Sequence, residues 1–246
     1  MEVCIDSLDS AQNAEKGGAI RVELCANLLE GGTTPSVGML RVIKKLLSIP
    51  VFVMIRPRGG DFCYSSSELE IMKEDIRSLK EAGANGFVFG LLTNDGTVDE
   101  QKSAELLELC FPLPATFHRA IDMSRNLSDS LTKVINLGFS RVLSSGGCQT
   151  ALQGVEVLKE MVRQAEGKII VMPGGGLTTD NLAEVLHTTK AREFHGTARE
   201  PVRSAVTFMK TDIRMGSLAD SEYIRKVTSS ELVSSFLKIA YSCWSI

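Results

Sequence analysis

No run of apolar residues in this chain approaches the roughly 20 needed to span a bilayer. No signal peptide precedes the first predicted strand, and because the sequence opens almost directly on that strand a further N-terminal segment is expected upstream of it. An excess of charge of one sign is also missing. There are 27 Lys and Arg against 30 Asp and Glu, a net charge of −3, and a pI near 5.7. That balance argues against nucleic acid or an anionic membrane as the main partner. Six cysteines, at positions 4, 25, 63, 110, 148 and 243, form no CxxC pair and lack the density of a disulfide scaffold. They read as reduced thiols of a cytoplasmic protein. No nucleophile elbow, no HExxH, no linker and no low-complexity stretch is present, so residues 1–246 read as one domain.

What the chain does have is a strand followed by a helix, over and over. Strands are predicted at 2–6, 21–25, 51–55, 86–90, 115–118, 141–144, 168–172 and 193–195. Helices are predicted at 7–16, 36–47, 67–82, 98–110, 124–137, 151–164 and 178–186. Eight such alternations predict an α/β fold, a TIM (β/α)8 barrel with a C-terminal extension. Thr228-Ser-Ser-Glu231 reads as a capping box opening an eighth outer helix over 228–242, with Leu232, Phe236, Ile239 and Ala240 on its apolar face. The segment 199–226, with Met209, Met215 and Tyr223 scattered through it, reads as an irregular lid or as the contact of a homo-oligomer, a dimer or tetramer.

The chain is organised around Val51–Tyr64, VFVMIRPRGGDFCY. Its branched apolar start suits a strand buried on both faces. Pro57 stops that strand, and Gly59-Gly60 permits a tight turn. Arg56, Arg58 and Asp61 are thereby gathered at the C-terminal lip of a buried strand, where α/β proteins bind ligands. Strand alternation then turns Glu2, Cys4, Asp6, Arg21, Glu23, Cys25, Arg56, Thr116, His118, Glu193 and His195 into the barrel. Branched aliphatics usually fill that space. Charges there must be paired, and they mark either a structural network or a ligand site whose rim holds His118, Arg119, Asp122, Arg58 and Asp61.

Arg21-Val-Glu-Leu-Cys25, Gly31-Gly-Thr-Thr-Pro35, the loop just described, Thr116-Phe-His-Arg119 with Asp122, Ser145-Gly-Gly147, Met172-Pro-Gly-Gly-Gly176 and Glu193-Phe-His195 follow one another in order. In these stretches, to nearly residue 200, the chain resembles the CutC copper-homeostasis family. The resemblance implies a TIM barrel, a role in copper handling and a cytoplasmic location, with the nucleus left open; that family's biochemical activity is unsettled. One departure stands out: the family's strand eight usually continues His-Ser, whereas Gly196 follows His195 here.

Three chemistries compete for the barrel mouth. Cys4 and Cys25, inward on neighbouring strands, are either small buried hydrophobes or a thiolate pair for Cu(I), with Cys63 as a third donor. The resemblance favours copper, and Cys110, Cys148 and Cys243 read as incidental. The second chemistry is a small anionic or phosphorylated ligand. It would be held by backbone N–H groups of Gly175 and Gly176, backed by a helix starting near Thr178, with help from Gly146 and Gly147 and charge from Arg56 and Arg58. The third is acid–base catalysis by His118 with Asp61 or Glu23, a histidine among carboxylates being able to move a proton near neutral pH. His187, near a helix end, reads as surface.

Overall fold

A computed structural model describes residues 1–210, 212–213 and 222–245. Eight short parallel strands form one sheet: β1 (Glu2–Ile5), β2 (Arg21–Leu24), β3 (Val51–Met54), β4 (Gly86–Phe89), β5 (Ala115–Phe117), β6 (Arg141–Ser144), β7 (Ile170–Pro173) and β8 (His195–Gly196). Their order is β7-β6-β5-β4-β3-β2-β1-β8, and a parallel bridge between Gly174 and His195 joins the two ends into a barrel. The outer helices are α1 (Leu8–Lys16), α2 (Val37–Leu46), α3 (Ser66–Glu81), α4 (Glu100–Cys110), α5 (Leu127–Leu137), α6 (Val155–Ala165), α7 (Leu182–Thr189) and α8 (Ser230–Trp244).

Alternation along the strands separates two cores, as the sequence pattern predicts. Val3, Ile5, Val22, Leu24, Val51 and Val53 join the large cluster with the helices. Cys4, Cys25, Phe52, Met54 and Val88 make a small separate cluster inside the barrel. The outer layer carries most of the apolar burial. Fully buried rings such as Phe89 and Phe117 are each worth about 1.5–3 kcal/mol relative to exposure.

Three predicted boundaries shift, each with a consequence for the mouth. The helix expected from 124 is preceded by a 3-10 turn, Arg119–Met123, and α5 itself is capped by Asn126. The helix expected near Thr178 begins at Leu182, because the Asn181 side chain accepts from the Thr178 amide and donates to the Gly176 carbonyl. The glycine turn after β7 is therefore separated from the end of a helix. Segment 199–226 is not irregular throughout: β9 (Arg199–Arg203) and β10 (Ile224–Thr228) pair as an antiparallel ribbon. Met215, the middle of the lid or oligomer segment, lies outside the described residues.

The ribbon returns the chain to α1, where the Thr228 amide donates to Ser10 Oγ and Asn13 donates to the Thr228 carbonyl. Ser229, one residue after the expected Thr228, caps α8 by accepting from the Leu232 amide. Among the described residues no helix is long and apolar enough to cross a membrane.

Candidate functional site

The floor of the barrel is an ionic network. Arg21 donates through Nε to Glu2 and through Nη2 to Glu193 at 2.6 Å, while Arg141 reaches Glu193 at 2.9 Å. The Phe52 ring lies under both guanidiniums, 5.0 Å and 5.5 Å from their carbons. His195 stands above, with Nδ1 2.9 Å from Glu2 and Nε2 3.6 Å from Glu23. Burial opposes charge on this imidazole, but Glu23, Cys4 and Glu2 together hold its pKa well above the usual histidine range. Burial likewise pushes the Glu2 carboxyl up, yet the bond to His195 and the charge of Arg21 bring it down to about 2. Buried charges in this floor are thus each paired with one of opposite sign, which offsets the cost of taking them out of water.

Above the floor Cys4 and Cys25 come together. They are 5% and 1% exposed, with their sulfurs 3.6 Å apart. Glu23 Oε2 lies 3.7 Å from Cys25 Sγ, and one donor atom from each of Cys4, Glu23 and Cys25 falls within 4.8 Å of the others. The register explains the meeting: Cys4 pairs with Glu23 across β1 and β2, and Cys25 follows one inward step later. The contact with Cys25, then burial, raises the Cys4 thiol well above its usual pKa. Burial pushes Cys25 to about 12. Burial also raises Glu23, with His195 acting against it. The predicted third donor, Cys63, is not in this group; its sulfur lies 2.8 Å from Asn94 Oδ1 on the outer loops, and Glu23 takes that place instead.

The cluster opens into a cavity of about 950 Å³ at the C-terminal mouth, whose lining includes Cys4, Glu23, Arg56, His118, Gly175 and His195. Of the predicted rim, His118, Arg119, Asp122 and Asp61 line this cavity. Arg58 turns outward, donating to Glu68, to Asp61 and to the carbonyls of Gly59, Asp61 and Cys63, and it does not line the cavity. Its partner Asp61 does line the cavity, and its carboxylate accepts from Arg58 and from the Cys63 amide within the same loop.

The expected nest after β6 is filled from within. Asp122 accepts from the amides of Ser145 and Gly147 and from the hydroxyls of Ser144 and Ser145, and the Gly146 amide goes to Ser144 Oγ. The amides of Gly146 and Gly147, expected to help hold an anion, are thus already taken by the chain's own side chains. Gly175 and Gly176 do reach the cavity with φ of +97° and +68°, a conformation that favours glycine. The cation beside them is Arg119, whose Nη1 would lie 3.2 Å from a Cβ on Gly175. Arg56 belongs to the end of β3, across the barrel from β7.

His118 is also corrected. Burial, reinforced by Arg56, pushes its pKa down to about 3, so the ring is neutral at physiological pH, where the sequence pattern predicts titration near neutrality.

A model of the CutC family matches residues 1–200. The mouse copper homeostasis protein cutC homolog is 53% identical over 241 residues, covering 98% of this chain and 89% of the mouse protein. The chain belongs to the CutC family. The human homolog is 52% identical over 98% of this chain and 88% of its own. The crystal structure of CutC from Streptococcus agalactiae superposes with a TM-score of 0.76 at 36% identity, over 80% of this chain and 97% of that one. Family membership accounts for the signatures that converge on the mouth: residues far apart in the sequence meet at adjacent strand ends.

Two residues of this CutC barrel carried signals that sequence reasoning passed over. Arg141 has the inward parity of β6, and its alternation with Val142 was available. Gly90 lies just past β4, where a Cβ would sit 2.6 Å from His118 Nδ1, so glycine is what admits the ring. Phe62, packed on His118 with centroids 4.9 Å apart, carried no such signal, since an aromatic in a loop has no periodicity to read.

Proposed function

We propose that this CutC-family protein serves copper homeostasis by taking up Cu(I) as cargo between Cys4 and Cys25, with Glu23 as third donor. The observation that carries the reading is the buried pair of sulfurs 3.6 Å apart beside a carboxylate. With metal–thiolate bonds near 2.3 Å, sulfurs at that spacing subtend an angle of about 100°. That is a bent arrangement with room for a third ligand. A linear two-sulfur site would need them to move apart by roughly 1 Å.

Soft thiolates suit a soft monovalent ion, and burial limits exchange with water and oxidants. Both thiols hold their protons in the metal-free protein, since their pKa values are raised. Uptake of Cu(I) as a bis-thiolate therefore releases up to two protons, and affinity rises with pH. The positive imidazole of His195, next to Glu23 and Cys4, offsets negative charge gathered there.

Anaerobic titration of the reduced protein with Cu(I) against a competing chelator tests this, with about one ion per chain expected. Cys4→Ser with Cys25→Ser abolishes the binding, Glu23→Gln weakens it, and Cys243→Ser leaves it unchanged. Wild-type affinity in the double variant removes these cysteines from the site.

A further inference from the structure

One corner of the cavity carries chemistry that copper does not use. His118, 4% exposed, sits just past β5. Its Nδ1 accepts from the Ala120 amide at 3.2 Å, which places the proton of the neutral ring on Nε2. That Nε2–H is buried, has no partner among the described residues, and belongs to a residue lining the cavity. A buried donor left unpaired forfeits its hydration with nothing in return, so it calls for an acceptor from outside the chain.

Arg56 acts on the same corner and is also buried, at 5% exposure. It spends Nη1 and Nη2 on the backbone carbonyls of Glu30, Gly32 and Gly60 at 2.7, 3.0 and 2.9 Å. Among the described residues no carboxylate forms an ion pair with it, so its charge is left for the cavity. Phe62 packs against both groups, 4.9 Å from the His118 ring and 5.0 Å from the Arg56 guanidinium carbon. The nearby acids do not compete: Asp122 is held by the Ser145 and Gly147 amides, and Asp61 by Arg58. The corner is therefore donor-rich, partly apolar and short of acceptors.

We propose that this corner binds a small organic molecule bearing a carbonyl or carboxylate, one oxygen of which accepts the His118 Nε2–H. A single neutral N–H beside an aromatic face suits such an oxygen better than inorganic phosphate, which needs several donors at once. A fixed, uncharged donor of this kind can also polarise a carbonyl without giving up its proton. The site is separate from the two cysteines and stands whether or not they bind copper.

The test is NMR of the full chain labelled with 15N-histidine, titrated with pyruvate, acetate and inorganic phosphate. The expected result is that pyruvate or acetate shifts the His118 Nε2–H resonance while exposed His187 stays in place. His118→Gln, whose amide nitrogen reaches towards the Nε2 position, keeps the affinity to within about threefold, and His118→Phe weakens it roughly tenfold. The shift in the wild-type spectrum decides the matter even if the phenylalanine variant fails to fold. The Cys4→Ser, Cys25→Ser double variant keeps the shift, which separates this proposal from the copper reading. The proposal is overturned if no probe moves the resonance, as for a donor closed by a trapped water. It is equally overturned if phosphate alone moves it, or if His118→Phe binds the organic probes as well as wild type.

Discussion

Replacing His118 with glutamine should change how stability responds to acid. The imidazole has a pKa near 6.5 in an unfolded chain and about 3 in the folded protein, where burial and Arg56 disfavour its charge. Its folded pKa is depressed, so its contribution is fully present above pH 6.5 and is lost as pH falls toward 3, because only the unfolded chain takes up the proton. Integrated from pH 6.5 to 4.5, the loss comes to ~2 kcal/mol.

Glutamine does not titrate, so the variant escapes that term. Glu2, held down at about 2, begins to cost stability only below about pH 4.5 and does so in both proteins. Urea unfolding at pH 6.5, 5.5 and 4.5 therefore isolates the histidine as a difference of differences. The wild type should lose ~2 kcal/mol relative to the variant across that window. Parallel pH profiles would mean that the native ring takes up its proton as readily as in the unfolded chain, and the neutral donor at the barrel mouth would be lost with it.

Three further substitutions test the frame around the site. Arg21→Met removes the cation shared by Glu2 and Glu193, leaving His195 alone on Glu2 and Arg141 alone on Glu193, and should cost about 3 kcal/mol in urea unfolding because the buried network is left one positive charge short; a loss within error would show that solvent reaches the barrel floor. Gly17→Ala places a Cβ 2.6 Å from Val233 Cβ and 2.7 Å from the Ser230 carbonyl oxygen, although its φ of −74° suits any residue. It should cost about 1–3 kcal/mol by forcing α8 outward. Gly138→Ala, with open space around the new methyl and a φ of +88°, isolates backbone strain and should cost about 1 kcal/mol. A neutral Gly17→Ala would show that α8 is not seated on α1.

The alternation of strand and helix, the inward parity and the meeting of Cys4 with Cys25 were legible from sequence because they follow from local rules. Side chains alternate along a strand, and consecutive parallel strands joined by a helix lie side by side. Those rules turn Val22 and Leu24 to the helices and Arg21, Glu23 and Cys25 to the interior without any knowledge of distance.

What the tertiary structure decided is where each polar group finds its partner, which depends on residues brought together from distant parts of the chain. Asp122 and the Gly147 amide are 25 residues apart, yet the carboxylate fills the nest that looked open to a ligand. Arg58 had a cavity and a helix within reach, and Glu68, ten residues on, drew it to the helix. His118 looked like a titrating base because the predicted rim set it among carboxylates. Its neighbours in space are Phe62, Gly90 and Arg56, and they strip it of water and of its second proton. Hydrogen bonding and desolvation are set by what surrounds an atom in three dimensions, and no periodicity along a chain encodes that.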